Sequence, residues 1–181
     1  MIYADHNKSN SVVKSLKKCI SEMPINGVGL NLGSGSVSFE KKIRNLDIFP
    51  GENIHYVARA ESIPEEDDFF DLVITQEVLE HVQDPFKAMD EIYRVLKPNG
   101  ILYCQLPFII GYHPGPTDFW RFTKEGIEEV IKRSGLEVNE IGISVGGATG
   151  YYRISVEFFS VLLAVIIPPL YHLFKAFFAV V

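Results

Sequence analysis

Gly33-Ser34-Gly35 follows a short apolar run, and Asp47 lies in a second apolar run a little farther on. Two glycines around a serine make a tight turn and let the backbone approach a ligand closely, because neither carries a Cβ. An aspartate at the end of a neighbouring strand can accept two hydrogen bonds from a ribose diol. The same residues also suit an ordinary strand-to-helix turn and an ordinary surface carboxylate, and the glycines alone do not decide. As a dinucleotide fingerprint the turn is incomplete. Gly33 and Gly35 fill the first two positions of G-x-G-x-x-G, but Ser38 stands at the third.

Strands alternating with helices must position these groups. Apolar residues recur at Val12, Val13, Leu16, Cys19, Ile20 and Met23, which predicts a helix over 11–23 capped by Ser11 and ended by Pro24 and Gly27. Strands are expected at 28–32, 46–49, 54–58, 70–75 and 101–106, with an acidic surface loop at 64–68. Asp84 and Pro85 suit the start of a helix whose buried stripe is Phe86, Met89, Ile92, Tyr93 and Leu96, stopped by Pro98-Asn99-Gly100. Thr123 suits the cap of a further helix carrying Ile127, Val130 and Ile131, with Gly135 at its end. Residues 136–145 alternate well enough to be a strand. This order implies an α/β doubly wound, mostly parallel sheet with helices on both faces. Ligands in such sheets bind at the carboxyl ends of the strands, where Gly33-Ser34-Gly35 and Asp47 fall.

The chain has 181 residues, 47% hydrophobic and 22% charged, which suits one globular domain with a substantial core. Its net charge of -6 argues against a dedicated nucleic-acid binder, and no nucleic-acid partner is expected. Lys8, Lys14, Lys17 and Lys18 read mainly as the solvated face of a helix, with a membrane-surface role as the alternative. Cys19 and Cys104 lack metal spacing and read as buried free thiols of a reducing compartment. The polar N-terminus has no signal-peptide core, so a cytoplasmic location is expected, peripheral to the membrane if the apolar C-terminal tail touches lipid.

Four stretches in sequence carry a family resemblance: Ala60-Glu61-Ser62-Ile63-Pro64, Phe70-Asp71-Leu72-Val73, Leu79-Glu80-His81-Val82, and Glu91 through Gly100. In this order and spacing they resemble the A-E-x-L-P, F-D-x-V, L-E-H-V and E-x-x-R-V-L-K-P-G-G stretches of class I S-adenosylmethionine-dependent methyltransferases, of the type 11 kind. The resemblance covers roughly residues 27–145 and implies a Rossmann-like sheet. The later "GYHPGPTDFWRFTKEG" looks like a branch associated with glycan and polysaccharide synthesis.

The resemblance implies that Gly33, Ser34 and Gly35 lie against the amino-acid end of S-adenosylmethionine. Asp47 would hold the ribose hydroxyls and Ile48 would pack on the adenine. Ala60 and Glu61 would border the adenine amine, and Gln76 would line the methionine portion. Three positions depart from the family pattern. Asn31 stands where an acidic residue is usual, Ser36 where a third glycine is common, and Arg59 where an aspartate is usual. Each loses a contact or a charge favouring a cationic sulfonium. If Asn31 belongs to the cofactor site in this way, Asn31→Asp should tighten cofactor binding. The helix between the glycine turn and Asp47 is expected to be short.

Methyl transfer from a sulfonium needs donor and acceptor held in line, and an oxygen acceptor must also lose a proton. His113, in "GYHPGP" past the fifth strand, and His81, beyond the fourth, are the two histidines suited to that task. For His81 the structural role of bracing the loop before the Asp84 helix is the stronger reading, while for His113 the roles of base and loop packing both stay open. Glu80 could face the ligand or cap a helix. Tyr112, Asp118, Trp120 and Arg121 would form the acceptor wall, unless Trp120 and Phe122 only pack the loop on the sheet. No metal site is expected.

Residues 1–150 thus read as a cofactor-binding methyltransferase domain and 151–181 as an apolar helical tail. Residues 158–181 are nearly all apolar, and Pro168-Pro169 interrupts them near the middle. Two half-length helices would not cross a bilayer. The tail reads as an interfacial hairpin, a dimer face or part of the domain's own packing. The activity expected is methyl transfer from S-adenosylmethionine to a small, glycan or lipid-linked acceptor. A cofactor-binding module without catalysis and a nicotinamide oxidoreductase are the alternatives.

Overall fold

The computed structural model describes residues 9–164 apart from 41 and 145, together with 173 and 176. In chain order the elements are α1 (Asn10–Glu22), β1 (Gly29–Leu32), β2 (Ile43–Asp47), β3 (Tyr56–Val57), β4 (Phe70–Gln76), α2 (Pro85–Val95), β5 (Leu96–Gln105), α3 (Lys124–Arg133) and α4 (Gly147–Ala164). A single 3-10 turn, Leu79–His81, lies between β4 and α2. The five strands are all parallel, in the order β3-β2-β1-β4-β5. The chain winds outward from β1 to β3, then returns to place β4 on the other side of β1. The crevice above the β1/β4 junction is the switch point where ligands bind in doubly wound sheets.

Parallel strands covered on both faces must be apolar throughout. β4 meets that demand: Phe70 and Leu72 through Thr75 are fully buried. Its Leu72 and Ile74 pack with Leu16 and Met23 on the α1 side. Its Val73 joins Leu30, Leu32 and Leu46 in the core under Ala88, Met89, Ile92 and Val95 of α2, with Val130 of α3 alongside. Arg94 ties α2 to the segment after β3. Its guanidinium donates to the Ile63 carbonyl at 2.9 Å, the Glu65 carbonyl at 2.8 Å and both Glu91 oxygens at 2.8 Å, while Glu91 accepts from the Ile63 N–H at 2.9 Å. The E-x-x-R of the motif is thus a clamp on residues 63–65.

The Asp84 and Thr123 caps stand as expected, accepting from the backbone N–H of Lys87 and Gly126 at 3.0 Å each. Elsewhere tertiary partners moved the boundaries. Ser9, not Ser11, caps α1, because the Ser11 hydroxyl donates instead to the Ser144 carbonyl. α2 stops at Val95, where the carbonyls of Arg94 and Val95 accept from the Asp68 and Phe69 N–H groups at the entrance of β4. Residues 97–100 therefore form an irregularity within β5 rather than a helix stop. Phe86 and Tyr93 are exposed rather than part of the buried stripe, which runs through Pro85, Ala88, Met89, Ile92 and Val95. Phe86 lies beneath the Arg133 guanidinium instead.

No helix is formed among the described residues between the glycine turn and β2. Residues 136–144 do not add a strand either. They run against α1, with Glu140 paired to Lys18 at 3.0 Å and Ser144 bonded to Ser11. Lys14, Lys17 and Lys18 lie on the solvated face of α1, while Lys8 lies outside the described residues. Cys19 and Cys104 are both free thiols, half-buried rather than fully buried.

α4 runs across position 150, where Gly150 packs on Ile109, and buries Val156 and Ser160. Phe158, Phe159, Val161 and Leu162 remain exposed on it. Among the described residues, no helix is long and apolar enough to cross a membrane. Most of the tail beyond 164, including Pro168-Pro169, lies outside the described residues.

Candidate active site

Because every strand is parallel, the residues that end them share one edge of the sheet. Leu32 leads into Gly33-Ser34-Gly35, and Asp47 ends β2 beside it. Both glycines adopt left-handed backbone, φ +65° at Gly33 and +52° at Gly35, which favours glycine. A Cβ on Gly33 would run into the Val78 side chain, so Gly33 is where the β1 turn touches the β4 loop. A Cβ on Gly35 would meet nothing within 4 Å, so that face of the turn is open. Asp47 holds the turn in place, accepting from Gly35 N–H at 2.8 Å through one oxygen and from Phe49 N–H at 3.0 Å through the other. Each carboxylate oxygen keeps a further lone pair for a ligand. Ser34 is buried, and its hydroxyl is without a hydrogen-bond partner. An open left-handed turn, an orphan hydroxyl and an adjacent carboxylate fit the amino-acid and ribose ends of S-adenosylmethionine.

The other expected cofactor residues lie at the same edge. Ile48 follows Asp47 and is partly exposed. Ala60 is buried just past β3, and Glu61 beside it pairs with Arg59 at 3.1 Å. Gln76 ends β4 and donates to the Gln105 side chain at 3.0 Å.

Asn31 differs from the expectation built on its missing charge. It lies beneath the turn, 4% exposed, and its amide donates to the Val37 carbonyl and to Asn45 Oδ1, both at 3.2 Å. Asn45 in turn donates to the Asn53 carbonyl. Asn31→Asp would delete both donors and set a carboxylate against two acceptors. The ligand-free variant should therefore be less stable by about 1–3 kcal/mol. Urea denaturation checks this, and a variant as stable as the wild type would mean that the two amide bonds do not support the turn.

The second half of the site comes from the β4 and β5 loops, which are stitched together. The Glu80 carbonyl accepts from Phe119 N–H at 2.8 Å and Trp120 N–H at 3.2 Å, and Trp120 Nε1 donates to the Val82 carbonyl at 2.9 Å. The Thr117 hydroxyl donates to the His81 carbonyl, while His81 Nδ1 faces the Thr117 carbonyl. Trp120 stacks with Phe122, which packs against the core. His81 and His113 are brought together at this junction, ring centroids 5.0 Å apart.

Between the two rings stands Glu80, completely buried, with no hydrogen-bond partner on either carboxylate oxygen. Its pKa is pushed up to about 8, chiefly by burial. The Arg121 guanidinium is engaged within its own loop. Its fork is closed on Asp118 at 2.5 and 2.7 Å, with a further bond to the Gly111 carbonyl. That pairing holds Asp118 well below the ordinary carboxylate range. Tyr112, Asp118, Trp120 and Arg121, with Phe119, line an open hollow of about 270 Å3. A larger hollow, about 490 Å3, is lined by residues of α1 and the approach to β2, including Lys17 and Lys42, and contains none of these groups. Glu80, like His113, is a site residue that sequence reasoning left undecided. Its signal was an acidic side chain beside a histidine, and its burial depends on the distant β5 loop.

The fold and this edge define a Rossmann-like α/β domain whose topological switch point lies between β1 and β4. A family model described as "Methyltransferase domain" matches residues 14–104, half of the chain. The chain belongs to this family, a class I S-adenosylmethionine-dependent group. It is 48% identical over 63 residues to the ubiquinone/menaquinone biosynthesis C-methyltransferase UbiE of Pectobacterium atrosepticum, covering 34% of this chain and 24% of the relative. It is 29% identical over 111 residues to the demethylmenaquinone methyltransferase of Oceanobacillus iheyensis, covering 59% and 46%. The chain thus spans less than half the length of these relatives.

Among solved structures, it is similar to the putative methyltransferase bound to the Haloferax volcanii Trm112 activator, with 22% identity, TM-score 0.53 and 74% of this chain and 75% of that one covered. The [4+2]-cyclase SpnF superposes with TM-score 0.57 at 18% identity, covering 98% and 76%. These two likenesses concern the fold.

Proposed function

We propose that this chain transfers a methyl group from S-adenosylmethionine to a hydroxyl-bearing small acceptor. The observation that carries the reading is the pair of left-handed glycines at the β1 end, braced by Asp47 and open to solvent at Gly35. Gly33, Ser34 and Gly35 take the amino-acid end of the cofactor, Asp47 the ribose hydroxyls and Ile48 the adenine face. Ala60 and Glu61 border the adenine amine, and Gln76 lines the methionine portion. Asn31 supports the turn from below. When bound, the cofactor supplies an electrophilic methyl on a sulfonium, so the chain's residues mainly position and deprotonate the acceptor.

The acceptor lies under the β5 loop beside Glu80, His81 and His113. Both histidines have Nδ1 committed to a backbone carbonyl, so Nε2 is the nitrogen left to take a proton from the acceptor hydroxyl, at His113 once the loop opens a path to that buried atom. With the cofactor held at Gly33, Gly35 and Asp47, the acceptor oxygen, its proton passed to a histidine, would be the nucleophile for the methyl that the cofactor supplies. Ionising a hydroxyl activates its own oxygen, as in a sugar, or the ring carbons beside a phenolate. The "GYHPGPTDFWRFTKEG" stretch favours the sugar, free or lipid-linked.

Calorimetry with S-adenosylhomocysteine and with NADH tests the cofactor assignment. S-adenosylhomocysteine should bind and NADH should not. Asp47→Ala should weaken S-adenosylhomocysteine binding by about 1.5–3 kcal/mol, since it removes charge-assisted bonds. Unchanged affinity in that variant would refute the role of Asp47. Cofactor binding without methyl release to any hydroxylic acceptor would favour the non-catalytic module.

A further inference from the structure

Glu80, His81 and His113 present more than a pair of bases. The Glu80 carboxylate is wholly buried with both oxygens unpartnered, and His113 Nε2 is likewise buried and unpartnered. One donor atom from each of the three residues lies within 4.8 Å of the others. Each histidine Nε2 stands 3.7 Å from Glu80 Oε1. That is too long for a hydrogen bond. It is close to the roughly 3.4 Å that separates two ligands of one tetrahedral ion bound at about 2.1 Å. We propose that Glu80, His81 and His113 form a binding site for one divalent transition-metal cation, Zn2+ in the first instance, held by the two Nε2 atoms and the carboxylate.

The surroundings are those of a ligand set. His113 Nδ1 lies 3.0 Å from the Gly111 carbonyl, and His81 Nδ1 faces the Thr117 carbonyl. A carbonyl only accepts, so Nδ1 carries the hydrogen in each ring and the Nε2 lone pairs face Glu80. Arg121 Nη2, 3.3 Å from His113 Nδ1, does not reverse this, because its two hydrogens go to Asp118 and the Gly111 carbonyl. Metal-binding histidines characteristically donate their second nitrogen in this way. The rings meet edge to face at 76°, so they converge instead of stacking. The backbone N–H bonds from Phe119 and Trp120 to the Glu80 carbonyl keep the two loops in register.

Two imidazoles and one carboxylate suit Zn2+, Co2+ or Fe2+, whereas Mg2+ and Ca2+ prefer oxygen alone. Three protein ligands leave a coordination position open for an acceptor oxygen. That purpose rests on the methyl-transfer reading, in which the histidines would then act through the cation they hold; the binding itself does not.

The 181-residue chain, stripped with chelator and dialysed, should bind Zn2+ one to one by calorimetry with micromolar or tighter affinity, and Mg2+ not at all. Co2+ should give the intense visible bands of a four- or five-coordinate site. His113→Ala and Glu80→Gln should each weaken Zn2+ binding at least tenfold, with folding checked by circular dichroism. Should Glu80→Gln fail to fold, His113→Ala decides, since that ring is only half-buried. Absence of stoichiometric Zn2+ binding, or equal affinity in wild type and variants, would overturn the site. S-adenosylhomocysteine binding measured with chelator present is independent of the metal. Its loss would count against the methyl-transfer reading and leave the metal site standing.

Discussion

In metal-free buffer, Glu80→Gln should be more stable than the wild type at pH 8.5, and the advantage should shrink as pH falls to 5. Glu80 is 0% exposed, and neither oxygen has a hydrogen-bond partner. Burial raises its pKa from 4.5 to about 8, against the lowering effect of its own backbone N–H, which lies near the carboxylate without a well-formed hydrogen bond; Glu77 and Asp118 raise it further and Arg121 opposes them. His81, His113 and the Cys104 thiol complete its charged and titratable surroundings. Between those two pKa values the unfolded chain has released the Glu80 proton while the folded chain keeps it. Stability therefore falls as pH rises from about 4.5 to about 8, then levels off. At 1.4 kcal/mol per pH unit the full cost is at most about 5 kcal/mol. Glutamine has no proton to lose, so this slope disappears, and its amide can donate to a histidine Nε2. Urea midpoints of both proteins at pH 5, 7 and 8.5 measure the difference. A gap that is the same at all three values would mean that Glu80 does not titrate as its burial requires.

Why the sequence left the role of Glu80 open is a matter of where its environment comes from. Leu79-Glu80-His81 is local, and the motif identifies it at once. The burial of Glu80 is not local, because the segment from Thr117 to Trp120 bonds to the backbone of residues 80 and 81 from beyond β5. The Asp84 and Thr123 caps were legible because a cap needs only an acceptor and the N–H three residues on. The end of α2 was not, because the N–H groups that take its last carbonyls belong to the start of β4.

Residues 136–144 make the same point for strands. Their alternation suits an edge strand, yet α1 offers Lys18 and Ser11 as partners and draws the segment off the sheet. Asn31 was read as an absent charge from its place in a motif. Its neighbours Val37 and Asn45 make it a donor that a carboxylate could not replace. The parallel sheet and the edge carrying the glycine turn were legible, since alternation of strands with helices and apolar runs constrains a parallel sheet strongly.

Gly33→Ala and Gly35→Ala should separate the structural from the ligand-facing half of the turn. Both positions are left-handed, so each alanine bears a conformational cost of about 1–2 kcal/mol. At Gly33 the new Cβ also collides with Val78, in the loop that leads to Glu80. Relief requires Val78 or the turn itself to move, so Gly33→Ala should lose about 3–4 kcal/mol of stability in all. At Gly35 the new methyl enters open space, and stability should fall only by the conformational cost of about 1–2 kcal/mol. Affinity should rank differently. If S-adenosylmethionine lies over the open face, a methyl at Gly35 occupies its place, and both variants should bind S-adenosylhomocysteine at least tenfold more weakly. Chemical denaturation and calorimetry on the two variants give the two rankings. A Gly35→Ala protein that loses a little stability but binds S-adenosylhomocysteine as the wild type does would move the cofactor off this turn. Equal stability losses would instead mean that Val78 yields freely, and that the β1 turn and the Glu80 loop are not mechanically joined at Gly33.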